Sequence, residues 1–166
     1  LGGKALALKC PAENGFRLTP AQREAAITPT TRWIMLNLPS NPAGAVYADD
    51  DLRALGAVLE KHPDVLILSD EIYEHILFDG RKFLSFAAAN PSLKGRTLTV
   101  NGVSKAYAMT GWRIGYGAGP RPRIAAMTKV QSQICSGACS IAQAAAAAAA
   151  LNGPHDDVRR FCAAFE

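Results

Sequence analysis

Three short apolar runs constrain the fold most: RWIMLNL (32–38), DVLILS (64–69) and TLTVN (97–101) are continuous rather than alternating, rich in branched residues, and bounded by polar or turn residues. A strand that is apolar at nearly every position is buried on both faces, the habit of a parallel sheet covered by helices. The segment YADDDLRALGAVLEKHP supplies a crossover between the first two runs. Asp49 is the expected N-cap, Asp50 and Asp51 complement the helix dipole, Leu52, Leu55, Val58 and Leu59 form one apolar face, and Pro63 marks the stop. This is a βαβ unit, so the expected class is α/β.

A short helix is expected from Pro20 in TPAQREAAI. Three more are expected in PRPRIAAMTKVQSQ, SIAQAAAAAAALNG and HDDVRRFCAAFE, separated by Gly137 and the Gly153–Pro154 break. The run RIGYGAG (113–119) follows TLTVN after only eleven residues. A parallel return needs a dozen or more, so this strand is expected to run antiparallel to its predecessor. Lys105 then lies just beyond the carboxyl end of one strand and Arg113 at the start of its neighbour, on the same edge of the sheet.

Composition narrows the class of partner. The 166 residues are 49% hydrophobic and 19% charged, the profile of a globular domain. The net charge of +4 comes from scattered Lys and Arg, with no basic-aromatic strip; it suits small anionic ligands at least as well as nucleic acid, and no nucleic-acid partner is expected. Cys10, Cys135, Cys139 and Cys162 are too sparse for a disulfide framework, and Cys135 with Cys139 lacks the His or Cys pair of a zinc site. The apolar stretch IAQAAAAAAAL falls short of the roughly 20 residues that span a bilayer. A cytoplasmic protein with no membrane partner is expected. The chain opens at Leu1 rather than Met and stops within an apparent helix, so a central fragment of a longer protein is expected.

Ligands of open α/β sheets bind outside the carboxyl ends of the strands. Following each expected strand in turn gives Asn41 in LPSNPAG, Asp70 and Tyr73 in SDEIY, and Lys105 with Arg113 in GVSKAYAMTGWRIG. An amine, a carboxylate, a phenol, an amide and a guanidinium on one edge suit a phosphorylated, nitrogen-containing, carbonyl-bearing cofactor.

In SNPAG, SDEIY and GVSKAYAMTGWRIG the chain resembles the class I, fold-type-I pyridoxal-phosphate-dependent aminotransferases, over essentially its whole length and in the family's order. The wording is most similar to bacterial aspartate aminotransferases, including those that also act on prephenate. The resemblance implies a mostly parallel sheet with one antiparallel strand flanked by helices. Residues 1–166 would be part of the large domain that binds pyridoxal 5'-phosphate, with the N-terminal segment and the small C-terminal domain lying outside them.

It also implies roles. Lys105 would form an imine with the cofactor aldehyde and then serve as the base at the substrate α-carbon. Asp70 would face the pyridine nitrogen and keep it protonated, making the ring a better electron sink. Tyr73 and Asn41 would donate hydrogen bonds to the cofactor's phenolate oxygen, and Asn41 would also touch the substrate carboxylate. Arg113 would fork the phosphate. Gly102 stands where some relatives carry a phosphate-binding Ser, which leaves Ser104 as a weaker candidate for that contact. Glu71, His75 and Trp112 are read as structural, and His62 and His155 as surface residues.

The implied activity is amino transfer between an amino acid, aspartate favoured, and a 2-oxo acid, 2-oxoglutarate favoured, in a homodimer. Aromatic or prephenate transamination and lyase chemistry on the same cofactor stay open, as does an aminotransferase-like ligand-sensing domain of a transcription regulator.

Overall fold

The computed structural model describes residues 2–153 and 155–166. Its sheet has four strands, β1 (Trp33–Asn37), β2 (Leu66–Asp70), β3 (Thr97–Gly102) and β4 (Gly115–Ala118), in the order β1-β2-β3-β4. β1 pairs with β2, and β2 with β3, in parallel; β3 and β4 are antiparallel, with Gly102 opposite Gly115. The expected runs therefore become strands with their ends shifted by one or two residues. β4 is shorter than the run RIGYGAG: Arg113 ends the 3-10 turn Thr110–Trp112 with a φ of 56°, and a residue in that left-handed region does not continue a strand.

Helix α1 (Pro20–Ala26) starts with a reciprocal cap: the Thr19 hydroxyl accepts from the Gln22 N–H at 3.2 Å while Gln22 Oε1 accepts from the Thr19 N–H at 3.0 Å. Helix α2 (Asp49–Glu60) begins one residue earlier than expected. Its N-cap is Ala48, not Asp49, and the Asp51 carboxylate accepts the Ala48 N–H at 3.3 Å from within the first turn. The expected apolar face does pack: Leu52, Leu55 and Leu59 join Leu36, Ile67, Phe86 and Leu93 in one buried cluster, and Val58 is buried beside them. The helix stops at Glu60, ahead of Pro63.

The second crossover was not anticipated as helical. It contains α3 (Phe86–Ala89) and the 3-10 turn Pro91–Arg96, and it locks onto α2. Asn90 donates to the carbonyls of Leu52 and Phe86, each at 3.1 Å, and it rests on Gly56, where a Cβ would come within 1.8 Å of Asn90 Oδ1. Arg96 donates to the carbonyls of Leu59, His62 (2.8 Å) and Val65 (2.6 Å), so one guanidinium satisfies the end of α2 and the turn into β2.

Arg23 is fully buried. Its Nη1 donates to the Leu55 carbonyl at 2.8 Å, Nε and Nη2 have no partner among the described residues, and burial lowers its pKa to about 10. His62 is less exposed than expected, and its Nε2 lies 3.1 Å from Glu24 Oε1, joining the end of α2 to α1.

Beyond β4 come α4 (Arg121–Ile134), α5 (Ser140–Ala147) with a π turn at Ala148–Asn152, and α6 (His155–Phe165). Leu1, Pro154 of the expected break, and the side chain of His155 lie outside the described residues. All four cysteines are free. No described helix is long and apolar enough to cross a membrane.

Candidate functional site

β1 and β2 each end in a polar residue that organises the turn after it. At the end of β1, Asn37 Oδ1 accepts the N–H of Asn41 at 2.7 Å, closing the turn that holds Asn41 exposed at the sheet edge. Gly44, at a φ of +66°, lets that turn come back, and its N–H donates to the Ser40 carbonyl at 2.9 Å.

Asp70 ends β2, beside Asn37 in the register with β1 and Val100 in the register with β3. Its Oδ1 accepts the Ile72 N–H at 3.2 Å, the local bond typical of Asp at a turn. Its neighbours in sequence, Ser69 and Glu71, are buried. Since successive strand side chains alternate, Asp70 faces away from the α2–α3 layer that covers Ser69.

Tyr73 lies in the following turn, and Lys105 in the turn after β3. The Lys105 Nζ stands 5.8 Å from the centroid of the Tyr73 ring. Two residues from different connections thus meet at the edge, as their positions after β2 and β3 predict. Ser104 and Arg113 are linked through Thr110, whose hydroxyl donates to the Ser104 carbonyl at 3.1 Å and whose carbonyl accepts from Arg113 Nη1 at 2.9 Å. The antiparallel pairing of Gly102 with Gly115 keeps Arg113 on the same edge as Lys105. Gly102 itself has no room for a side chain, because a Cβ there would lie 2.9 Å from the Ile114 carbonyl oxygen and 3.2 Å from Gly115 Cα.

Asp70, Lys105 and Arg113 share this edge, yet none of them forms an ion pair among the described residues. The site is an open shelf. A cleft of about 290 Å³ beside Arg17, Tyr47 and Asp51, and one of about 460 Å³ beneath Tyr116 and α5, include neither Lys105 nor Asp70. Residues not singled out in the sequence also hold the shelf: Asn37, Glu74, Asn101 and Thr110. Asn37 and Asn101 carried a signal, as polar residues near the ends of otherwise apolar strands.

A family model described as aminotransferase class I and II matches residues 2–162. The chain belongs to that family. It is 57% identical over 164 residues to an aspartate aminotransferase of Rhizobium meliloti (strain 1021), covering 99% of this chain and 40% of that protein. To an aspartate/prephenate aminotransferase of Cereibacter sphaeroides it is 55% identical over 155 residues, covering 93% of this chain and 38% of the relative. The crystal structure of the Rhizobium meliloti aspartate aminotransferase superposes with a TM-score of 0.90 at 58% identity, over 94% of this chain and 39% of that one. The chain thus spans about two fifths of the length of these class I and II aminotransferases, and its mixed four-stranded sheet is part of their fold.

Proposed function

We propose that the protein containing this chain is a pyridoxal-phosphate-dependent aminotransferase, and that residues 1–166 are part of its cofactor-binding large domain. The contact that carries this reading is Lys105 Nζ at 5.8 Å from the Tyr73 ring, in a member of the class I and II family. The donor set fits the cofactor. Three charges with no ion pair among the described residues, an amine, a carboxylate and a guanidinium, correspond to the cofactor's aldehyde, ring nitrogen and phosphate.

When bound, pyridoxal phosphate supplies an electron-withdrawing ring that takes up the electron pair released at the substrate α-carbon. The Lys105 amine would hold the cofactor at its aldehyde, and its Nζ would carry the proton at the substrate α-carbon. The Asp70 carboxylate keeps the proton on the ring nitrogen. The Tyr73 hydroxyl and the Asn41 amide donate to the phenolate oxygen, and Asn41 also reaches the substrate carboxylate. Arg113 binds the phosphate with its paired N–H groups, with the Ser104 hydroxyl as a secondary donor.

Aspartate is the favoured amino donor, supported by the name of the Rhizobium relative, and 2-oxoglutarate is the acceptor proposed with it. The aspartate/prephenate name of the Cereibacter relative favours prephenate as a second acceptor. The reading carries with it a cytoplasmic homodimer. The intact gene product, loaded with pyridoxal phosphate and reduced with borohydride, is expected to carry the label on Lys105 when its peptides are mapped. Lys105→Ala is expected to lower transamination about a hundredfold or more. A label on another lysine, or no visible absorption band after loading, refutes the assignment.

A further inference from the structure

The turn that carries Tyr73 and the loop that carries Lys105 are joined by side chains with no role in the reading above. Glu74 Oε1 accepts from Asn101 Nδ2 at 2.6 Å, and Asn101 Oδ1 accepts from the Gly102 N–H at 2.7 Å. Both ends of the Asn101 amide are therefore used, which fixes its orientation. A second tie lies beside the first. His75 Nε2 is 3.4 Å from Glu74 Oε1, and the His75 ring meets the Tyr107 ring edge-on, with centroids 6.2 Å apart. Glu74 follows Tyr73 directly, while Asn101 and Tyr107 flank Lys105 along the chain. The two ties thus bracket the place where the Lys105 amine meets the Tyr73 ring.

The carboxylate sits centrally in this cluster. Its charge contributes, after burial, to holding the phenols of Tyr107 and Tyr116 above their usual range. A carboxylate hydrogen-bonded to an amide is a strong, directional link, stiffer than the loops it joins.

We propose that Glu74 and Asn101 form a clamp that fixes the separation of Tyr73 from Lys105, and that both act as positioning residues for the cofactor. The inference rests on the pyridoxal-phosphate reading above. If the clamp opens, the Tyr73 hydroxyl loses its place at the phenolate oxygen, and the protonation of the bound cofactor changes with it.

The test uses the intact gene product loaded with pyridoxal phosphate. It reads the pH midpoint of the visible absorption band and the rate of cofactor release, with borohydride labelling of Lys105 as a control. Glu74→Ala and Asn101→Ala are each expected to raise the midpoint and to speed release by roughly threefold to tenfold, the equivalent of one ordinary hydrogen bond. The double variant is expected to do no more than either single one. Glu74→Gln keeps the accepting oxygen and is expected to stay near wild type.

Asn101→Asp, which sets two carboxylates face to face, is expected to fail in the same way. Adding Glu74→Gln to it reverses donor and acceptor and is expected to restore both readouts. Unchanged midpoint and release in both alanine variants, or no rescue by the reciprocal exchange, with Lys105 still labelled, overturns the clamp and leaves the cofactor reading standing. Loss of labelling in the unaltered protein overturns the cofactor reading instead.

Discussion

Glu71 stands one residue from Asp70 with its carboxylate in the protein interior. Its Oε1 accepts from the Ser69 hydroxyl at 2.8 Å, the Ser85 hydroxyl at 3.0 Å and the Phe86 N–H at 3.0 Å, which ties the end of β2 to the start of α3. Burial raises its pKa, and those three donors offset the shift only in part. The sign of the pH effect follows. A carboxyl whose pKa is higher in the folded state contributes stability in full below its unfolded pKa and loses it as the pH rises through the folded one. Glu71→Gln carries no charge at any pH and keeps an accepting oxygen. Its stability relative to the unaltered protein is expected to improve as the pH rises out of the ordinary carboxylate range, from about pH 4, and to level off once Glu71 is ionised in the folded protein, read from urea midpoints. A difference that stays constant with pH counts against this account. The residue types at the strand ends were legible because chemistry-bearing polar groups stand out against apolar runs. Glu71 was read as structural and its buried bonds agree, but Glu74 was not singled out, because an acidic residue after a strand has the same appearance whether it serves a turn, a helix start or a neighbouring loop.

The interlock of α2 with the second crossover turns on Gly56. Gly56→Ala requires Asn90 to leave its two carbonyl partners or α2 to lift from the sheet, so a loss of about 2–4 kcal/mol is expected in chemical denaturation. Restoration by Asn90→Ala in the same chain would locate the conflict at this contact, and a loss under about 0.5 kcal/mol would mean the helix yields freely. Helix α2 was legible because its apolar face repeats at the helical period and burial followed that face. The α3 segment was not, since its four residues carry no period; Glu71 holds its start from the end of β2, and Asn90 closes its end. The cap of α2 was displaced for a related reason: three consecutive aspartates offer the same chemistry, and only the three-dimensional position of Asp51 decides which one closes the turn. Strand β4 was legible from loop length alone, whereas the left-handed Arg113 that shortens it follows from the turn held by Thr110.

Across the whole chain, α2 and α3 cover one face of the sheet and leave apolar residues on the other. Trp33 is 43% exposed and Met35 73%, on an edge strand whose alternate residue Leu36 is buried. An apolar surface of this kind on an open edge promotes association. The 166-residue chain produced alone is expected to run larger than a monomer in light scattering and to bind a hydrophobic dye, both reduced by Met35→Lys. A monomer that ignores the dye would contradict this.

Strand β4 returns beside β3 instead of crossing over, so the stretch from Gly102 to Gly115 is a closed bight, hydrogen-bonded at its base from Val103 N–H to the Ile114 carbonyl at 3.4 Å. The reach from the amine of Lys105 to the guanidinium of Arg113 is therefore set by the contour of that bight above the Gly102–Gly115 pair that closes it. A residue inserted within the bight would change that span without altering the pairing of β3 with β4, so the width of the grip is set separately from the sheet that carries it.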